Sequence, residues 1–491
     1  MSATGNRQVS RECLDLNLMF LKLGSIFPLD KVSSSTWINI LYKGYTTFTV
    51  GLFFSVSAAA PLFIICADYT LQDGIEVMSI LLTQIRSGMK LITFIIYKKE
   101  IQNLILSLYK NFFIHGRNLS AEETSVVRET IDYTRKMTLG YIILYCTTAL
   151  SMILHPLTFT PTDLEQESAF NQTARPQSSR PIPFKSWYPN WDITKSPQYE
   201  IEYLAQATLT ALEAWCLACI DTFCVALMIY AGCQFDLLGL ALKNMNKGLK
   251  FDIGAYQKRK KGSYRIKILT LNDNLRLSVI TENVGNKPHT NLKEINRWST
   301  SDVTVLQNSV VQFGWEDEDQ RPSTVKPCTQ DEIEAMMYIK KCIEHHHSLL
   351  IYVADMNTAF STMFFVVFLT ASILICLLGF QVIVMPPSGL MFIRVLLHSL
   401  CTVFELGFFC WYGSEVMHKS ERVYQDAYES EWQDLSSGAK QFICMIIMRA
   451  QRPAAVRAGL FGDICLPTFT TLLKNAYSYL ALLQQLHGGG A

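Results

Sequence analysis

The chain has 491 residues, and 43 Lys and Arg against 42 Asp and Glu leave a formal charge of +1, without the basic excess that a nucleic-acid binder needs. Charged residues make up only 17%, where about 25% is usual for a soluble protein. The hydrophobic share of 49% is ordinary, so the distinguishing feature is that the apolar residues lie in blocks.

A bilayer core about 30 Å thick needs roughly 20 mostly apolar residues in a helix. In chain order such runs are Gly44 to Ala67, Val77 to Tyr97, Thr138 to Thr160, Leu204 to Tyr230, Phe360 to Met385, Phe392 to Tyr412 and Phe461 to Leu486. The sequence therefore predicts an all-α membrane protein with seven transmembrane helices. The first run begins too far from Met1 to be a signal peptide, so the first helix is expected to direct insertion. With the N-terminus cytoplasmic, the inside connections carry 35 Lys and Arg and the outside ones four: Arg175, Arg180, Lys185 and Lys195. Leaving out the long segment 231–359, where the charge rule loses force, the ratio is still 18 to 4. The expected orientation thus has the N-terminus cytoplasmic and the C-terminus extracellular. Asn171, in an Asn-Gln-Thr sequon on the outside loop, is the glycosylation candidate.

Three further segments stand out along the chain. Residues 252–327 are polar, contain Lys258-Arg259-Lys260-Lys261 and Glu316-Asp317-Glu318-Asp319, and show no apolar stripe. They read as a disordered cytoplasmic insertion, which separates a unit of residues 1–251, with spans one to four, from residues 328–491, with spans five to seven. Helical periodicity resumes near Asp331 and is expected to run into span five. After span six, Val416, Ser420, Val423, Tyr424, Ala427 and Tyr428 recur at helical spacing and predict a cytoplasmic amphipathic helix.

The chemistry-bearing patterns are mostly absent. There is no Gly-rich phosphate loop, His-Glu-x-x-His or Gly-x-Ser-x-Gly, so no enzyme, cofactor or metal is expected. Most of the 14 cysteines fall inside apolar runs and read as small buried hydrophobes. His345, His346 and His347 point about 100° apart on a helix and cannot converge on one ion; a solvated face is the expectation. Glu213 and Asp221, eight residues apart in span four, match in sign the Arg86 and Lys90 of span two. Intramembrane charges are costly alone, so ion pairing between these two helices is predicted, with proton or ion binding as the alternative.

Near the C-terminus the run Met445 to Pro453, then Ala458-Gly459, Phe461, Thr468-Phe469 and Tyr477-Ser478-Tyr479, resembles the final segment of insect odorant receptors. Pro183-Phe184 with Trp187-Tyr188-Pro189 and Lys195-Ser196-Pro197 looks like that family's second outside loop. Cys342-Ile343 with His346 looks like its lead into span five, and Ala427-Tyr428-Glu429-Ser430 with Trp432 looks like the helix before span seven. The resemblance implies a subunit of an odorant-gated, non-selective cation channel, a hetero-tetramer with a shared co-receptor in the plasma membrane of a sensory neuron dendrite. It also implies a pore lined by the last helix, and carries the gate onto Leu482, Gln485 and Leu486. Small volatile odorants would bind in the outer half of the bundle, where depth nominates Met152, His155, Tyr203, Gln206, Phe380 and Phe392. Insertion 252–327 exceeds the family's usual connection, and a retained intron and a regulatory loop both stay open. Rival readings are a gustatory-type receptor channel, a G-protein-coupled chemoreceptor and a secondary transporter.

Overall fold

Each predicted span forms a helix, and most helices outrun their apolar run. The computed structural model describes residues 12–24, 26, 36–66, 69, 71–111, 120–158, 182–187, 195–245, 264–268, 279–283, 330–385 and 390–488. Among them lie α1 (Asp15–Leu23), α2 (Thr36–Ser57), α3 (Ala59–Cys66), α4 (Leu71–Ile96), α5 (Lys98–Asn111), α6 (Ala121–Leu154), α7 (Gln198–Lys243), α8 (Gln330–Val384), α9 (Leu390–Tyr428), α10 (Ser437–Ala450) and α11 (Leu466–Gly488). The first span is shared by α2 and α3. They part at Ala58, where Pro61 has no N–H to give and its ring crowds the carbonyl of Ser57.

Local signals set the helix ends. Ser120 opens α6 with a capping box, its hydroxyl accepting from the Glu123 N–H while the Glu123 carboxylate accepts from the Ser120 N–H. Pro386 and Pro387 follow the end of α8 at Val384. At 55 residues, α8 measures about 80 Å at 1.5 Å per residue, more than twice a bilayer core. The periodic stretch after span six is therefore no separate helix: it continues α9, with Val416, Ser420, Val423 and Ala427 buried and Tyr428 exposed.

Among the described residues, six helical stretches are long and apolar enough to cross a membrane: Ile40–Cys66, Gln72–Ile96, Ala121–Leu157, Gln198–Lys243, Ala335–Val384 and Met391–Tyr428. The seventh, α11, has 23 residues but is more polar. In its most apolar stretch α7 is 89% buried, whereas the α2–α3 span is 12% buried, so α7 is the axis of the bundle and α2 its rim. Ile40, Phe48, Phe54, Ile85, Ile95, Ile143 and Leu150 are exposed, a surface that only lipid covers at low cost. Hydroxyls in these helices satisfy themselves on the carbonyl one turn back, as Thr46, Thr83, Ser87 and Thr148 do.

The N-terminal helix α1 is not part of the sequence expectation. Nine residues are too few to register as a span, yet α1 lies along α7, with Leu14 and Leu21 fully buried. Phe20 meets Trp215 edge-on at 5.5 Å, and Asn17 donates to the hydroxyl of Thr138. Burial and the nearby Glu12 and Asp15 push the Cys13 thiol up to about 12, so it is a neutral packing group.

The chain divides into two units, residues 1–243 with 339–491, and residues 244–338. Within the insertion the described residues form an antiparallel pair, β1 (Tyr264–Ile268) and β2 (Val279–Asn283), with Ile266 opposite Thr281; the rest of 252–327 lies outside the described residues. His345 and His346 are both 4% exposed, which corrects the expectation of a solvated face. The residues beside them in α8, such as Cys342 and Leu349, pack on the core and carry the pair inward, where His346 faces the Phe235 ring edge-on.

Candidate functional site

The interior of the bundle holds four charges that the sequence shows only as isolated interruptions of apolar runs. Lys90 on α4 reaches Asp221 on α7 at 2.5 Å and Glu405 on α9 at 2.7 Å. Arg86, one turn earlier on α4, reaches the other oxygen of Glu405 at 2.7 Å. From α6, Tyr141 donates to Asp221 and Tyr145 to Glu405, each at 3.0 Å, and the two rings stack at 4.8 Å. All four charged side chains are 3% exposed or less. Two cations and two anions cancel, so the cluster brings no net charge into the membrane, and it ties together α4, α6, α7 and α9.

The predicted pairing is half right. Asp221 takes Lys90 as expected, but Arg86 takes Glu405, and Glu213 has one buried oxygen without a hydrogen bond. The reason is geometric: eight residues place Glu213 about 12 Å along the axis and 80° around it from Asp221, so the two carboxyls do not share Lys90.

A second polar layer closes one end of the bundle. The segment Ile182–Trp187 crosses that end as a strap. Lys185 pairs with Asp73 and lies 3.8 Å from Glu76, both on α4. Arg394 on α9 donates to the Pro183 carbonyl at 3.1 Å and pairs with Glu76 at 2.5 Å. Gln206 on α7, fully buried, accepts from the Phe184 N–H and donates to the Phe184 carbonyl, while Ser186 donates to Glu202. Three helices thus hold one short segment. Between strap and ion cluster the interior is lined by hydroxyl, imidazole and thiol groups: Thr83 lies 3.5 Å from His398, and Thr148 lies 3.0 Å from Cys401.

The nominated ligand residues fall into separate groups. Met152 and His155 close α6, and Tyr203 joins them by donating to the Ile153 carbonyl at 2.8 Å. Gln206 belongs to the strap, with both ends of its amide engaged. Phe392 packs on Leu374, Leu378, Met385 and Val395, and Phe380 is buried on α8. Two cavities, of about 590 and 310 Å³, lie elsewhere, the first among α6, α7 and α9 near Tyr133 and Glu415, the second between α2 and α4. Asn171 lies outside the described residues.

The final helix is held by close backbone approaches. A Cβ on Gly413 would stand 2.2 Å from the Ile464 carbonyl, so only glycine lets α9 touch the turn before α11. The Leu466 N–H donates to Ser414. Gly407 faces the Phe469 ring, and Gly379 faces Leu480. On α11, Leu472 and Ala476 are buried against the bundle, while Leu482 and Gln485 are exposed; the side chain of Leu486 lies outside the described residues.

The family model described as 7tm Odorant receptor matches residues 70–477. The chain belongs to the odorant receptor family. It is 29% identical over 157 residues to putative odorant receptor 92a of Drosophila melanogaster and 28% over 153 residues to odorant receptor 10 of Aedes albopictus. Those matches take in 32% and 31% of this chain and 38% and 40% of the relatives' own lengths. Against the odorant receptor coreceptor of Aedes aegypti it is 23% identical over 325 residues, 62% of this chain and 63% of that one. In fold it is similar to the insect olfactory receptor OR5 of Machilis hrabei solved with eugenol. The TM-score is 0.69 at 15% identity, covering 98% of this chain and all of that one. The nearly all-α, multi-pass membrane fold is that of the odorant receptors, a family of receptors.

Proposed function

We propose that this chain is the odorant-detecting subunit of a ligand-gated, non-selective cation channel. It would sit in the plasma membrane of a sensory dendrite with its N-terminus cytoplasmic and its C-terminus outside, in a hetero-tetramer with the shared co-receptor subunit. The excess of Lys and Arg on one side of the spans supports the orientation. In that orientation the strap is on the outside, and a small volatile ligand binds below it, beside Met152, His155 and Tyr203 and towards Phe380 and Phe392. Gln206 then serves to position the strap rather than to touch the ligand.

One observation carries the mechanism: Glu405 and Gly407 are two residues apart on α9, hence about 200° apart around it. Glu405 looks inward into the ion cluster while Gly407 rests on Phe469 of α11. A ligand that favours one setting of the cluster thereby favours one setting of α9 against the last helix, and a difference in affinity for the two settings is all that gating needs. In that hetero-tetramer the last helices of the subunits would surround a common axis, and Leu482 and Gln485 of this chain, with Leu486 one turn on from Leu482, would contribute to a narrow ring suited to gating by dewetting. The test is to express the chain with and without an odorant co-receptor and record currents across an odorant panel. The expected result is an odorant profile that requires both subunits. A profile identical to that of the co-receptor alone, or an N-terminal tag accessible on intact cells, would refute the proposal.

A further inference from the structure

An open crevice lies between α2 and α4. About 310 Å³ in volume, it is lined by Phe53 and Ser57 of α2 and by Leu81, Gln84, Ile85 and Gly88 of α4. Its walls are almost wholly apolar except at two points. The side-chain carbonyl of Gln84, a residue only 4% exposed, and the hydroxyl of Ser57 are both buried with no hydrogen-bond partner. Ser57 departs here from its neighbours, because the hydroxyls of Thr46, Thr47, Ser55, Thr83 and Ser87 all donate to the carbonyl one turn back. An orphaned carbonyl within the hydrocarbon layer is costly, and water is scarce there.

We infer that the crevice binds a small apolar alcohol. The Gln84 oxygen can only accept, so its partner must donate; the Ser57 hydroxyl can do either. An alcohol O–H can donate to Gln84 and, through its lone pairs, accept from Ser57, whereas an ester, ketone or ether offers acceptors alone and leaves Gln84 unsatisfied. The volume lies at the lower end of small-molecule sites and suits a molecule of about ten heavy atoms better than a sterol. Entry is sideways: Phe54 and Ile85 at the mouth are exposed on the bilayer face, where such alcohols partition. Gln84 lies about 200° round α4 from Arg86, so this site is distinct from the one proposed below the strap and stands or falls without it.

The full-length chain in phosphatidylcholine vesicles, exposed to a diazirine analogue of 1-octanol and irradiated, provides the test when adducts are mapped by mass spectrometry. Adducts are expected on the crevice-lining parts of α2 and α4. Unlabelled octanol should displace the probe about tenfold better than octyl methyl ether, the worth of one hydrogen bond. Gln84→Met should weaken the crevice labelling by a similar factor, and Gly88→Leu, which fills the crevice next to the Phe53 ring at 3.4 Å, should abolish it. Ser57→Ala provides a second, milder variant if Gln84→Met does not elute as a monodisperse protein. Equal competition by octanol and the ether, displacement by cholesterol but not by octanol, or labelling indifferent to Gln84 and Ser57 would overturn the assignment.

Discussion

Removal of the Lys90 ammonium is the most direct perturbation of the buried cluster. Lys90 is shared by Asp221 and Glu405; after Lys90→Met, Glu405 keeps Arg86 and Tyr145, but Asp221 keeps only the Tyr141 hydroxyl. The cluster then has one cation for two anions. Breaking a fully buried pair in this way costs about 3–5 kcal/mol, because an uncompensated charge is left behind. At about 2 °C per kcal/mol, the apparent midpoint falls by about 6–10 °C. The assay is retention of the monodisperse peak by fluorescence-detected size exclusion after heating, at one fixed heating rate so that the midpoints are comparable. Adding Asp221→Asn to Lys90→Met removes the orphaned anion and leaves Arg86 and Glu405 as a neutral pair, so most of the loss should return. A double variant that is no more stable than Lys90→Met would mean that Lys90 and Asp221 do not depend on one another, and the four-charge account would fail.

Three more outcomes follow from the geometry. Gly413→Ala puts a methyl against the Ile464 carbonyl and should abolish odorant currents, whereas Gly140→Ala, with nothing within 4 Å, should leave them intact in the same recording. Arg394→Met leaves Glu76 with Lys185 alone and frees the Pro183 carbonyl, so dose–response curves should shift, and Gln206→Leu should add little further shift if both residues act through the strap. In the assembled channel, Leu482→Cys and Gln485→Cys should make currents sensitive to a charged thiol reagent, while Ala476→Cys, buried against the bundle, should not; equal modification at all three would remove α11 from the pore.

Six of the seven spans were legible because lipid exposure demands long apolar runs, a demand strong enough to survive Arg86, Lys90, Asp221 and Glu405 inside them. That span two and span four are joined by charge was legible too, from sign alone. Which carboxylate meets which cation was not: Glu405 lies 315 residues from Lys90, and register along a helix decides the pairing. The strap was hidden for the same reason, since Arg394 and Glu76 lie 318 residues apart. Helix α1 escaped because it is too short for a span and owes its place to packing on α7. Gln206 was picked out by depth alone, which places a residue at a level but not at a contact.

The two buried polar layers divide the work of the bundle. The strap joins α4, α7 and α9 at one end through neutral amides and ion pairs, with Lys185 about one-third exposed; water can replace such contacts at modest cost. The inner cluster joins the same three helices, with α6, where no water is at hand, so its partners can exchange only among themselves. Lys90 already contacts two carboxylates, and Glu405 two cations. A shift of α9 can therefore trade one contact for another without exposing a bare charge. A rigid apolar core would resist that movement through its packing alone, whereas partners shared in this way would let contacts be exchanged in the gating proposed above. In that proposed gating, α9, rather than the more fully buried α7, would then be the helix that moves, and Phe469 the place where its motion meets α11.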